Sequence, residues 1–107
     1  MAKNEEELKK FLKKIKRENI IFRPHFYDKQ KEDRQYLSES LVINSIRDIG
    51  RFFGFQDQST KEIEKYRVAI KLSSKYTLVV VSEVKDKNLY IITAWKTSRK
   101  WQKAIQK

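Results

Sequence analysis

The 107-residue chain has no cysteine, one proline, two glycines and one histidine. Without cysteine there is no disulfide framework, no thiolate nucleophile and no thiolate metal site. One histidine among scattered carboxylates argues against a structural zinc site, and no metal or other cofactor is expected. No apolar run approaches the roughly 20 residues that span a bilayer, and the charged N-terminal segment lacks the apolar core of a signal peptide. No membrane partner and a cytoplasmic location are therefore expected.

Positive charge is abundant. Lys and Arg number 25 against 14 Asp and Glu, a net charge of +11. Such an excess repels itself and attracts polyanions, so nucleic acid is the expected partner. The competing explanation is a Lys-rich composition inherited from the genome, with no polyanion to bind. The charge is unevenly spread: from Lys87 to Lys107 there are six basic residues and no acidic one.

With 39% hydrophobic and 12% aromatic residues, the chain is long enough for one modest core and one domain, 1–107. Asn4 and Glu7 form a capping-box pattern, and Leu8, Phe11, Leu12 and Ile15 follow at helical spacing. Lys9, Lys10, Lys13, Lys14, Lys16 and Arg17 ring the rest of that helix and read as a solvated face. Asn19–Phe22 is a short β-like segment that Pro24 ends, or turns into the next helix. A short exposed helix is expected over 25–36. A further helix is expected after Ser38, with a stripe of Val42, Ile46, Ile49 and Phe53 ended by Gly50 and Gly54.

The period then changes to two. Three strands, around Tyr66–Leu72, Tyr76–Val84 and Leu89–Trp95, joined by short turns, make an antiparallel meander with the doubly apolar second strand at its centre. A basic helix capped near Thr97 or Ser98 closes the chain. The fold class is α+β, with two or three N-terminal helices on one face of a small antiparallel sheet.

The segment YRVAIKLSSKYTLVVVSEVKDKNLYIITAWKTSRK resembles the sheet of RelE-type and BrnT-type toxins: an arginine-bearing strand, then LxVV, then IxIITAxKxS leading into a basic helix. PHFYDKQKEDRQYLSESLV resembles the helical segment of nucleases in the barnase, EndoU, colicin and RelE superfamily, where His is followed about nine residues later by Arg. The resemblance implies a metal-independent endoribonuclease, the toxin of a toxin–antitoxin pair or a mobile-element nuclease. RNA, including ribosome-associated mRNA, and an acidic antitoxin would be its partners. In metal-free cleavage the substrate's own 2'-hydroxyl attacks phosphorus. The protein then supplies a base, an acid for the departing 5'-oxygen, and cations for the pentacoordinate phosphorus.

His25 is the candidate base or acid; the competing role is a helix-start residue bonded to a neighbour. Arg34 is matched to the family's arginine, but it lies nine residues on, half a turn round a regular helix, and a salt bridge is its competing role. Thr93 and Lys96 complete the catalytic candidates, Thr93 equally readable as a β-propensity filler. Arg67, Lys71, Arg99, Lys100 and Lys103 are the RNA-binding candidates. Trp95 and Trp101 either stack on bases or close the core, and Tyr66 and Tyr90 are weaker candidates for a phenolic acid. The alternative function is a non-catalytic RNA- or DNA-binding module of the same fold. A third is a structural protein, basic through composition alone.

Overall fold

Reciprocal capping starts the first helix, α1 (Glu5–Lys14): the Asn4 side chain accepts the Glu7 N–H at 2.9 Å, and the Glu7 carboxylate accepts the Asn4 N–H at 3.0 Å. Two amides left unbonded by helix geometry are thereby satisfied. Leu8 and Leu12 are buried, and Ile15 extends their stripe past the last turn. The computed structural model describes residues 2–32 and 37–98.

A 3₁₀ turn over Arg17–Asn19 leads into β1 (Ile20–Phe22), and Pro24 opens α2 (Pro24–Glu32). Proline suits a first helical turn because its fixed φ is already helical and the amide it lacks would be unbonded there. Ser38 caps α3 (Glu39–Arg47), its Oγ accepting the Leu41 N–H at 3.0 Å.

After α3 the structure departs from the helical stripe. Val42 and Ile46 are buried, but the helix stops at Arg47 and a 3₁₀ turn covers Ile49–Arg51. Phe53 and Gly54 belong to β2 (Phe52–Asp57), which pairs antiparallel with β3 (Glu64–Lys71). The aromatic run Phe52, Phe53, Phe55 suits a pleated, half-buried surface, and tertiary pairing prevails over the residual helical period.

β4 (Tyr76–Lys85) and β5 (Asn88–Ser98) complete a five-stranded sheet of order β1-β5-β4-β3-β2. The doubly apolar β4 is the central strand, as expected, with Val79, Val80 and Val81 all buried. The expected three-stranded meander is the core of a larger, mixed sheet, because β1 joins the β5 edge in parallel, Ile20 opposite Leu89 and Phe22 opposite Ile91. β5 runs past the expected Trp95: Thr97 and Ser98 pair with Thr77 and Tyr76, and the ladder reaches the first residue of β4. The expected basic C-terminal helix lies outside the described residues.

One sheet face carries the core. Val68, Ile70, Leu78, Val80, Leu89, Ile91 and Ala94 pack against Leu8, Leu12, Phe26, Leu37, Val42, Ile43 and Ile46. Each fully buried aliphatic side chain of this kind contributes roughly 1.5–3 kcal/mol. Cross-strand register puts the alternate residues on the second face, away from α1, α2 and α3. A bulge shapes that face: β5 carries one extra residue, Ile92, where the register shifts between Val81 and Ser82. Tyr90 and Thr93, three positions apart, consequently share the second face, and Lys96 falls on the first. Bulges re-aim side chains in this way.

Candidate functional site

The second face is not uniform. At one end Ala69, Thr77 and Val79 are fully buried. At the other, Lys65, Glu83 and Tyr90 form a cross-strand row that is partly accessible, with Ile21 of β1 beside Tyr90.

Arg23 completes this row. A residue preceding proline is pushed out of helical conformation, and Arg23 prolongs β1 by one rung, its N–H donating to the Ile91 carbonyl at 2.9 Å. Its guanidinium carbon lies 4.6 Å from the centre of the Tyr90 ring, and Nη2 donates to Glu83 Oε1 at 3.3 Å. Glu83 is the one acidic residue of β4, and its side chain keeps 23% of its surface accessible. The carboxylate is thus fixed in orientation by a cation while still facing solvent.

The next row, across the bulge, holds Arg67, Val81 and Thr93, with Gln56 at the β2 edge. The Arg67 guanidinium lies 5.6 Å from the Trp95 ring centre. Arg67 stands diagonally to Glu83, a relationship that places Cα atoms roughly 7–8 Å apart. Lys71, in the row with Thr77 and Thr97, is exposed at the far end of β3.

His25 is exposed in the first turn of α2, two residues past Arg23. Phe26, buried and 4.7 Å from Phe22 between ring centres, anchors that turn, and α2 packs along β5. The helix that begins at the end of β1 therefore brings the histidine to the edge of the sheet that carries Arg23.

Of the residues singled out from sequence, Arg67 and Thr93 share a row, Lys71 shares their face, and His25 borders the sheet edge. Lys96 does not join them. It pairs with Leu78 on the helix-covered side, its Nζ 4.5 Å over the Tyr76 ring. Arg34, Arg99, Lys100 and Lys103 lie outside the described residues. Sequence reasoning missed Arg23 and Glu83. Each had a signal: a single carboxylate inside the otherwise apolar run YTLVVVSEV, and a cation immediately before the only proline.

Among the described residues no group of three His, Asp or Glu side chains is placed to hold a metal ion, and no helix is long and apolar enough to cross a membrane. The arrangement can still do proton chemistry: the carboxylate of the central strand shares a face with two guanidinium groups, and an exposed imidazole stands beyond the β1 edge two residues after Arg23. Compared with known protein families, with curated proteins and with solved structures, the chain matches none, and the likeness to RelE-type and BrnT-type toxins rests on its sequence motifs alone.

Proposed function

We propose that the protein is a metal-independent endoribonuclease that binds RNA over the accessible end of the second sheet face. The observation that carries this reading is the Glu83 carboxylate, held by Arg23 over the Tyr90 ring and left open to solvent. In the proposed step Glu83 takes the proton of the 2'-hydroxyl as that oxygen bonds to phosphorus. The bond from phosphorus to the 5'-oxygen breaks, and the 5'-oxygen takes a proton from His25. Arg23 and Arg67 face the charge that grows on the phosphoryl oxygens; preorganised cations at such a position are the largest aid to reactions of this type. The products are a 2',3'-cyclic phosphate and a free 5'-hydroxyl, with atoms and protons balanced.

The finer reading, a RelE/BrnT-like toxin fold acting on free or ribosome-associated mRNA, draws on the sequence motifs and on the α+β architecture. A basic nuclease of this size would be neutralised by an acidic antitoxin segment lying over the same face. The second reading is a binding module without chemistry, favoured by one observation: Thr93 and Lys96, both carried over from the family motif, face opposite sides of β5.

The test is cleavage of single-stranded RNA in EDTA by protein purified free of any co-expressed partner. We expect a 2',3'-cyclic phosphate product and full protection by a single deoxyribose on the 5' side of the cut. RNA and translating ribosomes left intact under these conditions would replace the enzyme with the binding module.

A further inference from the structure

An open groove of about 730 Å³ lies away from the second face, where the end of α1, the Arg17–Asn19 turn and the β4–β5 turn meet. Lys10, Lys14, Lys16 and Lys87 line it, with Glu18 as its one carboxylate. A second hollow of about 660 Å³ shares Lys16 and Glu18 and adds Arg17 and Arg47.

Sequence-distant cations meet here for structural reasons. Lys10 and Lys14 stand one helical turn apart on α1, so they share a face. Lys16 follows beyond the end of the helix. Lys87 arrives from the β4–β5 turn, in which Asp86 adopts φ 58°, and the Asn19 amide donates to the Asn88 side-chain oxygen at 2.8 Å, tying that turn to the segment after α1.

Four cations elsewhere in the described residues are held in ion pairs. Lys3 pairs with Glu64, Lys9 with Glu5, Arg23 with Glu83 and Arg51 with Asp48. Among the described residues none of the four groove lysines forms an ion pair, and Glu18 lies beyond ion-pair distance of each. Like charges one turn apart destabilise an isolated helix. Four unpaired ammonium groups around one concavity are therefore an unfavourable arrangement in the free protein that a bound polyanion relieves.

We infer that this groove seats the phosphodiester backbone of a nucleic-acid strand. Concavity favours a strand over a bilayer, because a flat anionic surface meets the rim of a groove and not its floor. Phe11 and Ile15 supply an apolar floor between the lysines against which a ribose or base packs. The location suits an extension of the proposed active face: Lys87 precedes Tyr90 by three residues, about 10 Å at the rise of a strand. RNA leaving the Glu83 row passes the β4–β5 turn and enters the groove. The identity of the ligand rests on the RNA-binding reading above; the presence of cleavage does not enter.

The test uses fluorescence anisotropy with a labelled single-stranded 2'-O-methyl RNA 12-mer, which the proposed chemistry cannot cut. Lys14→Gln/Lys87→Gln is compared with the charge-matched Lys31→Gln/Lys75→Gln, both exposed and neither lining the groove. Each phosphate contact contributes about 0.7 to the log–log salt slope of a single strand. The groove pair should lower the slope by roughly 1.5 and weaken binding on the order of tenfold at 100 mM salt, against less than about twofold for the control pair. A DNA 12-mer showing the same loss supports a site that reads phosphate. Equal losses in the two pairs overturn the inference, as does capture of phosphatidylserine vesicles without binding of either oligonucleotide. An intact groove effect on a protein that never cuts RNA sustains this inference and removes only the catalytic one.

Discussion

Arg23 and Glu83 are sixty residues apart in the chain and meet at 3.3 Å on the second sheet face, the guanidinium reaching from the β1 edge over the Tyr90 ring of β5 to β4. The Arg23 side chain is about half exposed, 45%, and exposed ion pairs contribute only about 0–1 kcal/mol. Stability alone gives little reason to keep such a pair. Orientation of a carboxylate beside an aromatic ring gives a better one.

Glu83→Gln and Arg23→Ala should therefore leave urea midpoints nearly unchanged, each shifting stability by less than about 1 kcal/mol. Their effect belongs in the rate: loss of a general base lowers cleavage by about 100- to 10,000-fold. Parallel denaturation curves and initial rates decide between the two. A Glu83→Gln protein that cuts RNA at the wild-type rate removes Glu83 from the mechanism.

His25 and Lys96 were both legible as candidates in the sequence, and the structure puts them at different places: His25 in the first turn of α2 beside the β1 edge, Lys96 over Tyr76 near the far end of β5. His25→Ala should cut RNA on the order of 100-fold or more slowly while binding it with nearly unchanged affinity, because an acid acts in the transition state. Lys96→Ala should stay within about twofold in rate, since Lys96 lies with Tyr76 on the opposite face from Glu83. The reverse outcome would restore the site that the family motif suggests and make His25 a helix-start residue.

How far the sequence carried the fold depends on whether the signal was local. The Asn4 and Ser38 caps, Pro24 at a helix start and the doubly apolar central strand are short-range patterns, and each is found where expected. The strand at Phe52–Asp57 was hidden because its stripe continued the helical spacing of α3, and only pairing with β3 chooses between the two periods. The parallel attachment of β1 to β5 is a long-range pairing that no local pattern announces. The site was obscured by the Ile92 bulge. Strict alternation from Tyr90 would put Thr93 on the core face and Lys96 on the second; one extra residue exchanges them. Arg23 and Glu83 were invisible as a pair for the same reason that β1 was: what joins them is the sheet, not the chain.

Tyr66 gives the fold a source of alkaline sensitivity. It is fully buried, its hydroxyl donates to Glu64 Oε2 at 2.6 Å and accepts the Lys3 N–H at 2.6 Å, and Lys3 Nζ lies 3.4 Å from the same carboxylate oxygen. Burial, and after it the hydrogen bond to Glu64, pushes ionisation of the phenol well above its ordinary value of 10.0, with the Lys3 amide opposing more weakly. The folded state therefore holds this proton more tightly than the unfolded chain does. Stability from this source is complete below pH about 10 and drains away above it, as unfolded tyrosine ionises and folded Tyr66 does not. Tyr27, bonded to Glu39 at 3.0 Å and only partly buried, is raised by desolvation first and by Glu39 second, and adds a smaller part of the same sign. Thermal melts followed by circular dichroism from about pH 8 to 11 should show the wild-type midpoint falling beyond pH about 10. Tyr66→Phe should start lower at neutral pH by about 1–3 kcal/mol, because the Lys3 amide and Glu64 lose their partner, and should then descend less steeply. Curves that fall in parallel for the two proteins would show that the Tyr66 proton does not govern alkaline unfolding.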